Sequence, residues 1–334
     1  MRHIVIVGIL VIPTTLLTYL GLSASSLMPL EGSAQALIVD QMWNWDMIAI
    51  AFLFSVIVVP LAYSLIVFRR RKGDTSDGVH DEGNIKLEVT WTIIPLLLVT
   101  FYAYLGAYTL GETRTPDPNA WVVNVTAHQW AWAFQYPEGF SSTELHLPEH
   151  KQVLLKMTSL DVIHSFWVPE FRVKQDVLPG RTTELRLTPI ALGSFKVRCA
   201  ELCGLSHAYM EAPVLVTSPA DYDAWAQQQA TAFNALLAKG GPDAGKAFVA
   251  QNGCAGCHSI DGTRMTGPTW RGLFGSEVPL SDGKTVKADD AYLTESIKDP
   301  NAKIVAGFPA NVMPKFDLTD QQIKSIVSYI ETLK

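Results

Sequence analysis

The sequence predicts a multi-domain membrane protein: transmembrane helices first, an antiparallel β-sandwich in the middle and a small all-α domain at the end. Three observations carry this reading. Three apolar runs, each of helix-spanning length, occupy the first third of the chain. Short alternating segments punctuated by Pro and Gly fill 121–217, and helical periodicity dominates from 243 to the C-terminus. A chain of 334 residues is long enough for two globular domains besides the membrane helices. The net charge of −6 is spread over every region, so no basic patch speaks for nucleic acid.

The apolar runs are 4–22, 47–68 and 91–110. Each is about 20 residues, the length an α-helix needs to cross a hydrocarbon core. The second and third are uncharged, and the second stops at the basic cluster Arg69-Arg70-Arg71-Lys72. Lys and Arg remain on the cytoplasmic side, so the loop 69–86 is expected to face the cytoplasm and everything after about 111 the outside. The first run is read as a retained helix, with a signal peptide cut after Ala34-Gln35-Ala36 as the alternative. Segments 37–111 then form a helix hairpin, and 1–36 precede it.

Segments 121–126, 152–157, 183–187 and 195–198 alternate apolar and polar residues and read as strands of a domain spanning 112–218. The last of them leads into Cys199-Ala200-Glu201-Leu202-Cys203-Gly204-Leu205-Ser206-His207-Ala208-Tyr209-Met210. Two thiols, an imidazole and a thioether in one short loop suit copper, since a thioether favours copper and a zinc site would more often show paired C-x-x-C units. A further imidazole is wanted, and His164 is the best placed.

A helical segment, 221–239, ends at Gly240-Gly241-Pro242, so 219–240 reads as a helical linker to a domain at 241–334. That domain opens on Cys254-Ala255-Gly256-Cys257-His258, the attachment signature of a c-type haem. Cys254 and Cys257 would form thioethers and His258 would be one axial ligand. The other must come from well downstream, where Met313 fits; Met265 is too close to His258. A His/Met pair raises the haem potential. The helix 318–333 carries Ile323, Ile326, Val327 and Ile330 on one face behind a Thr319/Gln322 capping box. All four cysteines fall in the two motifs, leaving none for a disulfide.

From 47 to 217 the chain resembles subunit II of cytochrome c oxidase. The matching pieces are 87–95, His128-Gln129-Trp130-Ala131-Trp132, 161–166, 177–181 and 199–210. The resemblance implies a cupredoxin-like sandwich holding a binuclear CuA centre outside a two-helix hairpin. By position, Cys199 and Cys203 would bridge both coppers, with His164 and His207 each binding one. Met210 and the Glu201 carbonyl would complete the set, and the Glu201 carboxylate would reach a magnesium ion shared with subunit I. Trp130 aligns with the surface tryptophan through which the family takes in electrons, although the aromatic residue usual after it is Ala131 here. Trp132 is expected to be core. Glu88 is either a helix-start carboxylate favoured by the macrodipole or, as the resemblance offers, the entrance of a proton pathway.

The final segment resembles a class I cytochrome c, with Gly267-Pro268 matching its proximal-side loop. Together the two resemblances imply subunit II of a caa-type oxidase in a prokaryotic cell membrane, with both redox domains outside. Its partners would be subunit I, subunit III, membrane lipid and a donor, either a cytochrome c or a quinol-oxidising complex. The fused domain would raise the local concentration of haem at the copper, and a hinge in the linker would let the haem edge approach Trp130. A membrane-anchored copper chaperone or thiol redox protein is the alternative, but it would need neither Met210, Glu201 nor a haem. A quinol oxidase subunit would lack the copper ligands. Nitrous oxide reductase would need a large catalytic domain for which the chain has no room.

Overall fold

The computed structural model describes every residue except Met1, Ser26, Val79, Asp81, Pro314 and Asp317. It divides into two compact units, 1–115 and 116–334.

The first unit contains three helices: α1 (Arg2–Ala24), α2 (Ala34–Val67) and α3 (Ile85–Thr113). All three are long and apolar enough to cross a membrane. The apolar runs in the sequence are their middles. The helices extend beyond them because polar caps continue the turns: the Ser33 hydroxyl accepts from Ala36 N, and the Asn84 side chain accepts from Lys86 N and Leu87 N. The Ala34–Ala36 stretch offered as a cleavage site is the capped first turn of α2, with Ser33 and Ala36 fully buried. Polar contacts tie the helices together: Tyr19 Oη donates to Asn44 Oδ1 at 2.7 Å, and Tyr102 Oη to the Trp45 carbonyl at 3.0 Å. Most large apolar side chains on α2 and α3 remain exposed, as on a lipid-facing surface.

The second unit begins with a sandwich of strands β1 (Trp121–His128), β2 (Ala131–Gln135), β3 (Ser141–Ser142), β4 (Leu145–Pro148), β5 (Val153–Ser159), β6 (His164–Trp167), β7 (Lys174–Val177), β8 (Thr183–Leu187), β9 (Gly193–Cys199) and β10 (Glu211–Thr217). They form two five-stranded sheets, ordered β3-β2-β1-β5-β8 and β4-β10-β9-β6-β7. The inward positions alternate as the sequence requires: Val123, Val125 and Ala127 on β1 face Val197, Val214 and Val216 from the other sheet across a core that also holds Trp132.

The sandwich corrects the expectation of wholly antiparallel sheets in one respect. β1 pairs in parallel with β5, and β4 with β10. Parallel neighbours need a long crossover. Here β2, β3 and β4 supply the one between β1 and β5 without any helix, so absence of helices did not dictate the strand direction.

α4 (Pro219–Lys239) comes next, capped by Ser218. It is one continuous helix rather than part hinge, and it belongs to two cores. Tyr222 and Ala226 are buried in the sandwich, while Phe233, Leu236 and Leu237 pack on the helical core. Trp225 stacks on His146 with centroids 3.7 Å apart and lies edge-on to Tyr136 and Phe140. The backbone changes direction at Gly240 and Gly241, whose φ values of 67° and 76° suit glycine.

The helical core comprises α5 (Gly241–Gln251), α6 (Asp290–Lys298) and α7 (Asp320–Glu331), with a small hairpin of β11 (Glu277–Pro279) and β12 (Thr285–Lys287) that the sequence reading lacked. α5 and α7 cross closely because position 245 is glycine; a side chain there would overlap the Ser325 carbonyl. α7 carries the expected capping box, with Thr319 N donating to Gln322 Oε1 at 2.8 Å.

Candidate metal centre and haem cleft

β9 delivers Cys199 at its last residue, and the loop beyond it returns through a short 3₁₀ turn, His207–Tyr209, into β10. Both ends of the loop are thus anchored in adjacent strands of one sheet, with Cys199 N donating to the Met210 carbonyl at 3.1 Å. β6 runs on the other side of β9 and contributes His164, which is fully buried.

The six predicted donors converge. The Cys199 and Cys203 sulfurs are 3.7 Å apart. His164 Nδ1 is 3.8 Å from Cys199 Sγ, and His207 Nδ1 is 3.4 Å from Cys203 Sγ. Met210 Sδ stands 3.8 Å from Cys203 Sγ, and the Glu201 carbonyl 3.2 Å from Cys199 Sγ. Two thiols, two imidazole nitrogens, a thioether and a carbonyl facing one small volume fit a soft or borderline metal. Met210 and Cys203 are buried, whereas the Glu201 side chain is exposed at the rim.

The electrostatics already favour a cation. Burial opposes ionisation of Cys199, but His164 and hydrogen bonds to the loop backbone outweigh it and hold the thiol down at about 6. Burial and the adjacent Cys199 push Cys203 up to about 12, since two thiolates this close repel. Burial also opposes the charge on His164, yet its bond to Asp161 and its closeness to Cys199 raise it to about 9. A bound metal would replace these protons and stabilise both thiolates.

Two residues here escaped the sequence reading. Asp161 Oδ1 sits 2.8 Å from His164 Nε2, which leaves Nδ1 for the centre, and Asp161 Oδ2 accepts from Gln129 N at 2.7 Å. Gln129 Nε2 donates to the Cys203 carbonyl at 2.6 Å. The signal for Asp161 was available: a metal-binding imidazole needs a partner on its second nitrogen, and a carboxylate stands three residues before His164. Trp130 Nε1 shares the same Cys203 carbonyl at 3.2 Å, which puts the half-buried indole directly behind the sulfur cluster. Trp132 is core, 2% exposed and edge-on to Phe166.

In the helical part of this unit an apolar cleft is lined by Cys254, Cys257, His258 and Met313 together with Leu293, Ile326 and others. His258 Nδ1 is held by the Pro268 carbonyl at 2.8 Å, which leaves Nε2 as the free ring nitrogen. Gly267 lies against the same ring, and a Cβ there would come within 2.7 Å of it. The donors and the shape fit a covalently attached haem. Met265 is not among the residues lining the cleft. Pro314, next to Met313 in the sequence motif, lies outside the described residues.

Leu160 lines the cleft from the sandwich, and Trp130 does not line it. The expectation that a hinge brings the haem edge to Trp130 therefore differs from the arrangement found, in which α4 is continuous and packed at both ends. Glu88 occupies the first turn of α3, exposed, its carbonyl accepting from Thr92 Oγ1 at 2.8 Å. This is the position that the macrodipole favours.

Three family descriptions match the chain: the transmembrane domain of cytochrome c oxidase subunit II over 21–106, the periplasmic domain of the same subunit over 141–218, and cytochrome c over 242–334. A cytochrome c oxidase subunit 2 from Alkalihalophilus pseudofirmus is 31% identical over 311 residues, covering 87% of each chain. One from Synechocystis is 35% identical, covering 67% of this chain and 82% of its own. A third, from Bacillus sp. PS3, is 30% identical over 80% of both.

Proposed function

Since the chain belongs to the cytochrome c oxidase subunit 2 family and carries a cytochrome c domain, we propose that it is the electron-accepting subunit of a caa-type oxidase. It would pass electrons from a donor through haem c and CuA to haem a in subunit I, where oxygen is reduced to water with proton translocation. The family implies the copper centre and the cytochrome domain implies the haem. Copper supplies a one-electron couple whose charge is shared between two metals, and haem supplies a second such couple.

The carrying observation is that one compact unit holds both the six-donor cluster and the cleft with two thiols, His258 and Met313. On this reading Cys199, Cys203, His164, His207, Met210 and the Glu201 carbonyl would hold the copper, the two thiolates being shared within the centre. The Asp161 and Pro268 bonds fix which nitrogen of His164 and of His258 is offered. The thioether is a weak ligand that tunes potential. Cys254 and Cys257 would attach the haem, and His258 and Met313 would hold its iron.

Family membership places the protein in a membrane, with the domain over 141–218 on the periplasmic side and subunit I as its partner. We read all three helices as spanning. Around the sulfur cluster Leu202, Leu205 and Tyr209 are 79%, 98% and 84% exposed. An apolar rim of this kind is suited to burial against subunit I, with the Glu201 carboxylate at that junction for magnesium. Trp130, bonded behind Cys203, would be an electron entrance to the copper centre, and Glu88 the mouth of a proton pathway. Subunit III completes the assembly.

Rapid mixing of the complex with a reductant tests this reading. Haem reduction should precede copper reduction, independently of protein concentration. Copper reduced first, with the haem lagging, would make the cytochrome domain a side branch.

A further inference from the structure

The haem cleft has one wall that does not belong to the helical core. Leu160, just past β5, lines it beside Gly253, Cys254 and Cys257. The contact is close: a Cβ on Gly253 would fall 2.8 Å from Leu160 Cδ1, and one on Gly256 would fall 2.5 Å from the His128 ring. The segment around the C-x-x-C-H motif thus meets the ends of β1 and β5 through Gly253 and Gly256, where a side chain would crowd Leu160 and His128. Gln251 Nε2 adds a hydrogen bond to the Gly139 carbonyl at 3.3 Å. α4 packs into both cores.

From that wall the connection to the metal centre is short. Leu160 is joined by one peptide to Asp161, whose Oδ1 is 2.8 Å from His164 Nε2. The other nitrogen of the same ring faces the sulfur cluster. Leu160 N is itself pinned to the Ala127 carbonyl at 3.0 Å, so the bridge is fixed at both ends. Trp130 reaches the cluster separately, through Cys203.

We propose that the seated pose is the working pose, and that Leu160 and Asp161 form the bridge carrying electrons from the chain's own haem to His164, separate from Trp130. The inference rests on the haem and copper reading above. One electron crosses per event: the haem iron is oxidised from ferrous to ferric and the copper pair is reduced by one. No bond is made or broken, and no proton moves. Leu160 and Asp161 are positioning residues that supply the contact and orient the ring.

The test uses the full-length chain in its oxidase complex, with haem–copper electron exchange started by a light pulse. Covalent haem content, the copper EPR signal and hydrogen exchange over 253–258 are read alongside. Gly256→Ala should keep haem and copper, raise exchange in the loop and slow the interchange several-fold, because the added methyl lifts the loop off His128. Adding His128→Ala should make room and restore much of the rate. Leu160→Ala, which leaves the sequence of the haem-attachment loop unchanged, should slow the interchange more than Trp130→Phe does, and it decides the matter if Gly256→Ala fails to attach haem. An unchanged rate in Leu160→Ala, or a larger loss in Trp130→Phe, overturns the bridge. Absence of the copper or haem signal in the parent chain would instead defeat the cofactor reading, and the bridge with it.

Discussion

The sulfur atoms of Cys199 and Cys203 lie 3.7 Å apart, each with an imidazole nitrogen within 4 Å. On the proposed reading these two sulfurs would bridge two metals. Either Cys199→Ser or Cys203→Ser should therefore abolish the paired centre, leaving at most a single mononuclear copper. Metal analysis of the purified variants checks this. Retention of two coppers in either variant would contradict the bridging role.

Met210 is buried against Cys203 at the return of the loop, 3.8 Å from its sulfur. Met210→Leu conserves volume but removes the thioether. The centre should keep its copper and shift in potential, as read by redox titration, since the ligand is weak. Loss of copper would give Met210 a larger part than its chemistry suggests.

Met313 lines the cleft and Met265 does not. Met313→Ala should leave the haem covalently attached through Cys254 and Cys257, remove the weak sulfur-to-iron absorption band and lower the potential. Met265→Ala should preserve the band. The opposite pattern would move the axial ligand to Met265.

Much of this was legible because chemistry and periodicity coincide in the chain. The thiols, His207 and Met210 are local in sequence, and the loop could be recognised without knowing its fold. His164 was found only by asking for a missing imidazole. Asp161, Gln129 and Leu160 were not found, since their roles arise from strands brought together by pairing. Strand direction was illegible for the same reason: alternation identifies which residues face the core, not which strand lies beside which. The helix of the linker was legible, but its packing was not, and no hinge interrupts it. Its aromatic side chains, Tyr222 and Trp225, anchor it to Trp121, Tyr136, Phe140 and His146, partners far away in sequence.

Tyr222 is 1% exposed, and its hydroxyl finds no hydrogen-bond partner among the described residues. A buried unmet hydroxyl costs about 1–3 kcal/mol. Tyr222→Phe should accordingly hold or raise the melting temperature of the outer region, measured by calorimetry. A clear drop would mean the hydroxyl is satisfied in solution.

His146 stacks on Trp225 with its Nε2 3.4 Å from Glu144 and its own backbone N–H bonded to Tyr136 Oη. Burial lowers its protonation below the ordinary 6.5, with Glu144 opposing. The unfolded chain thus takes up this proton first as pH falls. The stability His146 contributes is complete above 6.5 and is lost as pH drops from there towards the lower folded value. Hydrogen exchange in α4, corrected for the intrinsic slowing of amide exchange in acid, should rise on acidification through this range, and His146→Phe should remove that component. A rise of equal size in the variant would place the sensitivity elsewhere.

The most direct measurement is an EPR spectrum with quantitative metal and haem analysis of the complex. Two coppers should share one unpaired electron coupled equally to both nuclei, alongside one covalent haem on this chain. A spectrum of isolated cupric ions, or one copper per chain after full loading, would contradict the binuclear centre on which the function rests.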